Sequence, residues 1–228
     1  MDANQQTRSN PFGMDEQCRN CPALCETRTT VVHGYGDVGA DFLFVGERPS
    51  PAADEVGVPF AGGGVGVGGE DGDGGEDTDE DRLGRRLQRI LQRLGLCVTG
   101  SDPNRPELAN VYLTNLTRCR DPERPPTDDE IGTCEPYLNA EIRMINPEIL
   151  IPVGERALFE LATEYTTRPA SEFDVADDHA TTIRGRGFEL VPMVDPRDQT
   201  DDQTQAWVEH FAQLMASDYR QTKGRQKR

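Results

Sequence analysis

Lysine is almost missing from this chain. Only Lys223 and Lys227 occur, against 22 arginines and 41 aspartates and glutamates. Long apolar runs are missing too: no stretch approaches the roughly 20 apolar residues a membrane-spanning helix needs, so no membrane partner is expected. The opening MDANQQTRSNPFG has no apolar core of the kind that marks a secretory signal. The expected location is therefore the cytoplasm, where six cysteines read as metal ligands or reduced thiols rather than disulfides.

What replaces lysine is acid. The formal charge is −17 over 228 residues, a balance that by itself argues against a nucleic-acid partner. Compact carboxylates with scarce lysine, however, fit a surface adapted to high salt, as in a halophile. The Debye length falls to about 3 Å at 1 M salt, so local basic patches outweigh net charge there. Two such patches exist. Arg82, Arg86, Arg89 and Arg93 recur at helical spacing, and the tail YRQTKGRQKR carries five cations. Each alone reads as solvated arginines or a frayed terminus.

The chain is long enough for one domain with a substantial core. Residues 1–17 read as an N-terminal tail, 18–218 as the domain and 219–228 as a basic C-terminal tail. The stretch GGGVGVGGEDGDGGEDTDED over 62–81 holds eight acids and few side chains that pack, and is expected to be a disordered insert. Strand patterns fall at DFLFVG (41–46), VYLTNL (111–116), EILIPVG (148–154) and FELVPMVD (188–195). Between them, Leu83, Leu87, Ile90 and Leu94 form one helical stripe, and Thr127 with Glu130 makes a capping-box pattern. Helices are also expected at GERALFELATE and DDQTQAWVEHFAQLMASDYR. The alternation predicts an α/β fold with a central, mainly parallel four-stranded sheet flanked by helices on both faces. Ligands of such sheets sit outside the carboxyl ends of the strands. Here those ends are Gly46-Glu47, Asn115, Gly154-Glu155 and Asp195-Pro196-Arg197.

The cysteines form a pattern. Cys18 and Cys21 are a CxxC pair, and Cys119 and Cys134 are a second, wider pair that folding can bring to the first. Four thiolates suit a tetrahedral zinc or an iron–sulfur cluster, and the spacing favours neither. Cys25 is either a third local ligand or a small packing residue, and Cys97, within LGLCV, reads as core.

The motifs CRNCPALCETRTTVVHGYG, FLFVGERPSPAADEVGVPFAG, LTNLTRCRDPERPPTDDEIGTCEPYL and NPEILIPVGERAL occur in that order. They resemble the successive motifs of the family 4 uracil-DNA glycosylases, iron–sulfur enzymes of the uracil-DNA glycosylase superfamily. The resemblance runs over roughly residues 18–195, broken by the acidic insert. It implies a base-excision DNA-repair hydrolase acting on uracil in single- or double-stranded DNA, with a [4Fe-4S] cluster on Cys18, Cys21, Cys119 and Cys134. A monomer is expected.

The resemblance also assigns site residues. Phe60 falls where the family stacks an aromatic ring on a flipped-out uracil. Asn115 falls where it reads the base edge, its amide offering a donor to O4 and an acceptor to N3–H. Glu47 matches the acid that positions water or balances positive charge on the sugar, and Asp54 in the same loop is a second catalytic candidate. Arg48 joins Glu47, Phe60 and Asn115 in the expected base-binding set.

Two positions depart from the family. Ser50 and Arg48 stand where smaller residues are usual, making the loop bulkier. Asp195-Pro196-Arg197 stands where the family has His-Pro-Ser, whose histidine donates to the departing base. An ionised Asp195 accepts only and would repel that anion. A protonated Asp195, help from Arg197, or a different substrate would each resolve the conflict. So would an inactive relative that binds nucleic acid or a base without excising it.

Overall fold

A computed structural model describes residues 8–62 and 79–220, leaving out the side chains of 79–81. Most of the 62–81 insert and residues 221–228 of the basic tail lie outside the described residues. In chain order the elements are α1 (Pro22–Thr27), β1 (Tyr35–Gly36), β2 (Phe42–Gly46), α2 (Pro51–Val56), α3 (Asp79–Arg93), β3 (Val111–Asn115), α4 (Asp128–Ile145), β4 (Ile149–Pro152), α5 (Glu155–Tyr165), β5 (Ile183–Arg184), β6 (Glu189–Leu190) and α6 (Asp201–Ala216).

The strands form one six-stranded sheet in the order β1-β3-β2-β4-β6-β5. The central four are parallel, as the apolar runs predict, and short antiparallel strands close both edges. Every residue of β2, β3 and β4 is buried, because side chains leave a strand alternately to its two faces and both faces are covered. Phe42, Phe44, Val111, Leu113, Ile149 and Ile151 share one core with Leu87, Ile90 and Leu91 of α3 and Trp207 and Phe211 of α6. Leu43, Val45, Tyr112 and Leu150 point to the other, against Ile131, Leu138 and Ile142 of α4 and Leu158 and Leu161 of α5. Each such side chain contributes about 1.5–3 kcal/mol by leaving water.

Three boundaries differ from the sequence reading. The strand expected over 188–195 is cut to Glu189–Leu190, then touches Val153 only through Met193. Pro192 lacks the N–H a ladder needs, and its carbonyl instead accepts from the Trp207 indole at 3.1 Å. Residues 8–17 are not a tail from Arg8 onward: Gly36 N–H donates to the Arg8 carbonyl and Asn10 N–H to that of Gly34, both at 3.0 Å. At the far end, Tyr219 and Arg220 are likewise tied down, both donating to Asp41, which is 4% exposed.

The capping box at α4 forms as read. The Thr127 hydroxyl accepts from Glu130 N–H at 3.3 Å, and the Glu130 carboxylate accepts from Thr127 N–H at 2.9 Å. Arg124 adds two ion-paired hydrogen bonds to the same carboxylate at 2.7 and 2.8 Å. Together they hold the Glu130 carboxyl down at about 2, the Arg124 bonds contributing most.

Candidate active site and cysteine cluster

The parallel register sets Gly46, the last residue of β2, beside Asn115, the last of β3. At that edge opens a cleft of about 330 Å³ lined by Gly46, Glu47, Arg48, Phe60, Asn115, Gly154, Glu155, Asp195 and Arg197, among others. Several separate chain segments meet there, at the crevice where α/β sheets bind ligands.

Gly46 is required by close approach. A Cβ there would lie 2.6 Å from Asn115 Oδ1 and 2.7 Å from Phe60 Cζ, so the missing side chain is what lets the ring and the amide share one wall. Phe60 is 3% exposed and sits at a left-handed φ of 54°, a conformation that costs a bulky residue energy. Its carbonyl accepts from Gln88 Nε2 at 3.2 Å. Gly84 of α3 lets the helix backbone reach it, since a Cβ there would stand 2.5 Å from the Phe60 oxygen.

Asn115 is 2% exposed, and its Nδ2 donor has no hydrogen-bond partner among the described residues. Buried polar groups are nearly always bonded, and an orphan of this kind costs about 1–3 kcal/mol. The Asn115 carbonyl, by contrast, is fixed by Arg118 Nη1 at 3.0 Å. Arg118 also donates to Glu141 Oε2 at 2.7 Å, and both residues are almost completely buried. The loop after β2 is pinned as well, with Leu116 N–H on the Gly46 carbonyl at 2.8 Å and Thr117 N–H on that of Glu47 at 3.2 Å.

Two expected site residues do other work. Asp54 lies outside the cleft, 6% exposed, and its carboxylate accepts the N–H groups of Thr29 and Thr30 at 2.8 and 3.2 Å. It anchors the N-terminal segment because α2, which the sequence reading lacked, turns it away from Glu47. Arg48 lines the cleft, but its Nη1 donates to the Asp121 carbonyl at 2.8 Å and to that of Arg124. It ties down the loop beyond Cys119. Ser50 serves as the N-cap of α2, accepting from Ala53 N–H at 3.1 Å.

Asp195 lines the cleft, though not as a lone anion. Arg197 donates to it from Nε at 3.0 and 3.1 Å, from Nη2 at 2.6 Å and from its backbone N–H at 2.9 Å. Arg156 also lines the cleft and was not expected there; it pairs with Asp128 and Glu160 at 2.6 and 2.7 Å. Its signal was only its place one residue after Glu155, which is too common a pattern to single out.

Three of the four expected ligand cysteines pack together. Cys18, Cys119 and partly buried Cys21 pack in one small cluster with Leu24 and Val31. Cys134, on α4, lies close enough to raise the pKa of Cys21 and Cys119 by charge repulsion. Burial is the larger cause, and both thiols are pushed up to about 11. A donor points at one of the sulfurs: Arg28 Nη1 reaches Cys119 Sγ at 3.1 Å. Among the described residues, no three His, Cys, Asp or Glu side chains converge as ligands of a single ion. Cys25 is 3.8 Å from the Cys18 carbonyl, a weak contact consistent with packing, and Cys97 is buried in the core as read.

An α/β sheet with a cleft at its strand ends and a cysteine-rich N-terminal segment packed against the loop after β3 defines a class of cleft-forming α/β proteins. A family model described as the uracil DNA glycosylase superfamily matches residues 33–216, and the chain belongs to that superfamily. It is 33% identical over 144 residues to a type-4 uracil-DNA glycosylase of Thermotoga maritima, covering 63% of this chain and 59% of that protein. A type-4 uracil-DNA glycosylase of Archaeoglobus fulgidus is 32% identical over 66% of this chain and 63% of its own length. A type-5 uracil-DNA glycosylase of Thermus thermophilus is 30% identical over 68% and 71%. The chain thus spans about three-fifths of the length of these type-4 relatives. No helix among the described residues is long and apolar enough to cross a membrane.

Proposed function

We propose that this chain is a DNA-repair N-glycosylase that hydrolyses the bond between uracil, or a related deaminated base, and its sugar in DNA. The observation that carries this reading is the buried, unpartnered Nδ2 of Asn115 at the cleft wall. A flipped-out uracil offers its O4 to that donor and its N3–H to the amide oxygen, whereas cytosine presents the reverse pattern. Phe60 supplies a stacking face, worth about 1–3 kcal/mol for a base on an aromatic ring. Glu47, at the rim, orients the attacking water and offsets positive charge on the sugar as the bond breaks. Resemblance to type-4 uracil-DNA glycosylases supports uracil in particular; the reading takes the strand as single or double and the chain as a monomer acting at high salt.

Cys18, Cys21, Cys119 and Cys134 would hold a [4Fe-4S] cluster. The Arg28 donor on the Cys119 sulfur suits a thiolate ligand. A single zinc with bonds of about 2.3 Å needs its four sulfurs within roughly 3.8 Å of one another. Resemblance to the type-4 relatives favours the iron–sulfur cluster over zinc. When bound, the cluster supplies a structural cross-link between the N-terminal segment, the loop after β3 and α4.

The test is incubation of the purified protein, in high-salt buffer, with a uracil-containing strand and a thymine control. Alkali-labile sites are expected at uracil only. Tight binding to the uracil strand with no cleavage at high enzyme concentration would instead establish a binding relative without excision.

A further inference from the structure

We propose that His179 is a positioning residue for base excision: its neutral ring holds in place the backbone that carries Asp195 into the cleft. The proposal rests on the N-glycosylase reading above. In the strand order β3-β2-β4-β6, Asn115 stands at one side of the cleft and Asp195 at the other. Asn115 ends a buried strand that is paired on both edges. Asp195 has no such support, because β6 stops at Leu190.

Beyond β6 the chain keeps its ladder only briefly. Met193 N–H donates to the Pro152 carbonyl at 2.9 Å, and Gly154 N–H to that of Met193 at 2.8 Å. On the other edge, Ala180 N–H donates to the Pro192 carbonyl at 3.2 Å. At Val194 side chains take over from strands. Its N–H donates to His179 Nδ1 at 3.0 Å, and its carbonyl accepts from Gln199 Nε2 at 2.6 Å. Asp195 follows directly, so its place in the cleft wall is inherited from these two bonds.

The state of the ring follows from its partners. The Gln203 carbonyl, 2.9 Å from Nε2, is an acceptor, so Nε2 carries the proton. Val194 N–H is a donor, so Nδ1 carries none. His179 is thereby a neutral strut between the first turn of α6 and the cleft wall, each nitrogen holding one partner. The backbone bears a cost beside it, since Ala180 sits at a left-handed φ of 57°, a strained state for a residue with a Cβ. Without the Nδ1 acceptor the wall loses a fixed point, and a displacement of about 1 Å far from the chemistry can slow a reaction about 10²-fold.

Single-turnover uracil excision at saturating enzyme, with DNA affinity measured beside it, tests this role. His179→Asn keeps an acceptor at the Nδ1 position, whereas His179→Gln keeps only a donor at the Nε2 position. His179→Gln and His179→Leu are expected to slow excision about 10–10²-fold, with affinity within a few-fold of the parent. His179→Asn should recover most of that loss. Rates are compared at a temperature where far-UV circular dichroism shows each variant folded. The parent supplies a check that needs no variant: NMR of the ring nitrogens, assigned through proximity to the Val194 amide proton, should show a proton on Nε2 and none on Nδ1. A His179 ring protonated at Nδ1, a folded His179→Leu variant as fast as the parent, or a His179→Gln variant faster than His179→Asn would overturn the proposal while leaving the N-glycosylase reading intact. A parent protein that excises no uracil would overturn that reading, and this proposal with it.

Discussion

Replacing Glu141 by alanine tests whether the floor of the cleft is held by a buried ion pair. Glu141 accepts Gly34 N–H at 2.8 Å, the Tyr112 hydroxyl at 3.3 Å, the Thr114 hydroxyl at 2.6 Å and Arg118 Nη2 at 2.7 Å. Its residue is fully buried, and Arg118 is 1% exposed. Truncation leaves a guanidinium without a counter-charge in the interior, a change that typically costs 3–5 kcal/mol. The orphaned Gly34 N–H and two hydroxyls belong to the same network, so their losses do not simply add. The expected cost is about 4 kcal/mol, a large part of the roughly 5–15 kcal/mol that holds a domain together. Urea titration followed by far-UV circular dichroism reads it as a lower midpoint at unchanged slope. Replacing both partners together, Arg118→Met with Glu141→Leu, should recover most of the loss, because an apolar pair has no stranded charge. A Glu141→Ala cost below about 1 kcal/mol would refute the reasoning, as would a double variant no better than the single one. Because Arg118 also bonds the Asn115 carbonyl, uracil excision should fall along with stability.

Gly46→Ala should leave the sheet folded but abolish uracil excision, since the added methyl group meets Asn115 and Phe60 at 2.6–2.7 Å; near-parental excision rates would contradict that crowding. Arg124→Gln should make the protein more sensitive to acid. The Glu130 carboxyl is depressed from 4.5 to about 2, so its contribution is complete above about pH 4.5 and lost as pH falls through 2; the variant's acid-unfolding midpoint should therefore rise. Cys119→Ser should remove visible absorbance from the purified protein and lower its unfolding midpoint, because the proposed cluster would tie three segments together; a colourless parent holding zinc would contradict the cluster.

The chain's own pattern determined the frame. Four apolar runs of strand length, joined by helical stripes, require a parallel sheet covered on both sides, since continuous apolar strands must be buried on both faces. The capping box at Thr127 and Glu130 is local chemistry and forms as written. The cleft's place also followed, because strand ends and their polar residues are set by order along the chain. What tertiary structure decided is which polar groups are spent. Asp54 and Glu47 lie in one short stretch, yet α2 carries Asp54 to the amides of Thr29 and Thr30. Arg48 looks like a cleft cation until the carbonyls of Asp121 and Arg124, more than 70 residues away, claim it. Asp195 reads as a repulsive anion until a turn folds Arg197 back onto it. Residue type sets what a side chain can do, but only packing sets which partner reaches it first. An unclaimed donor such as the Asn115 amide emerges from that competition, and no stretch of sequence contains it.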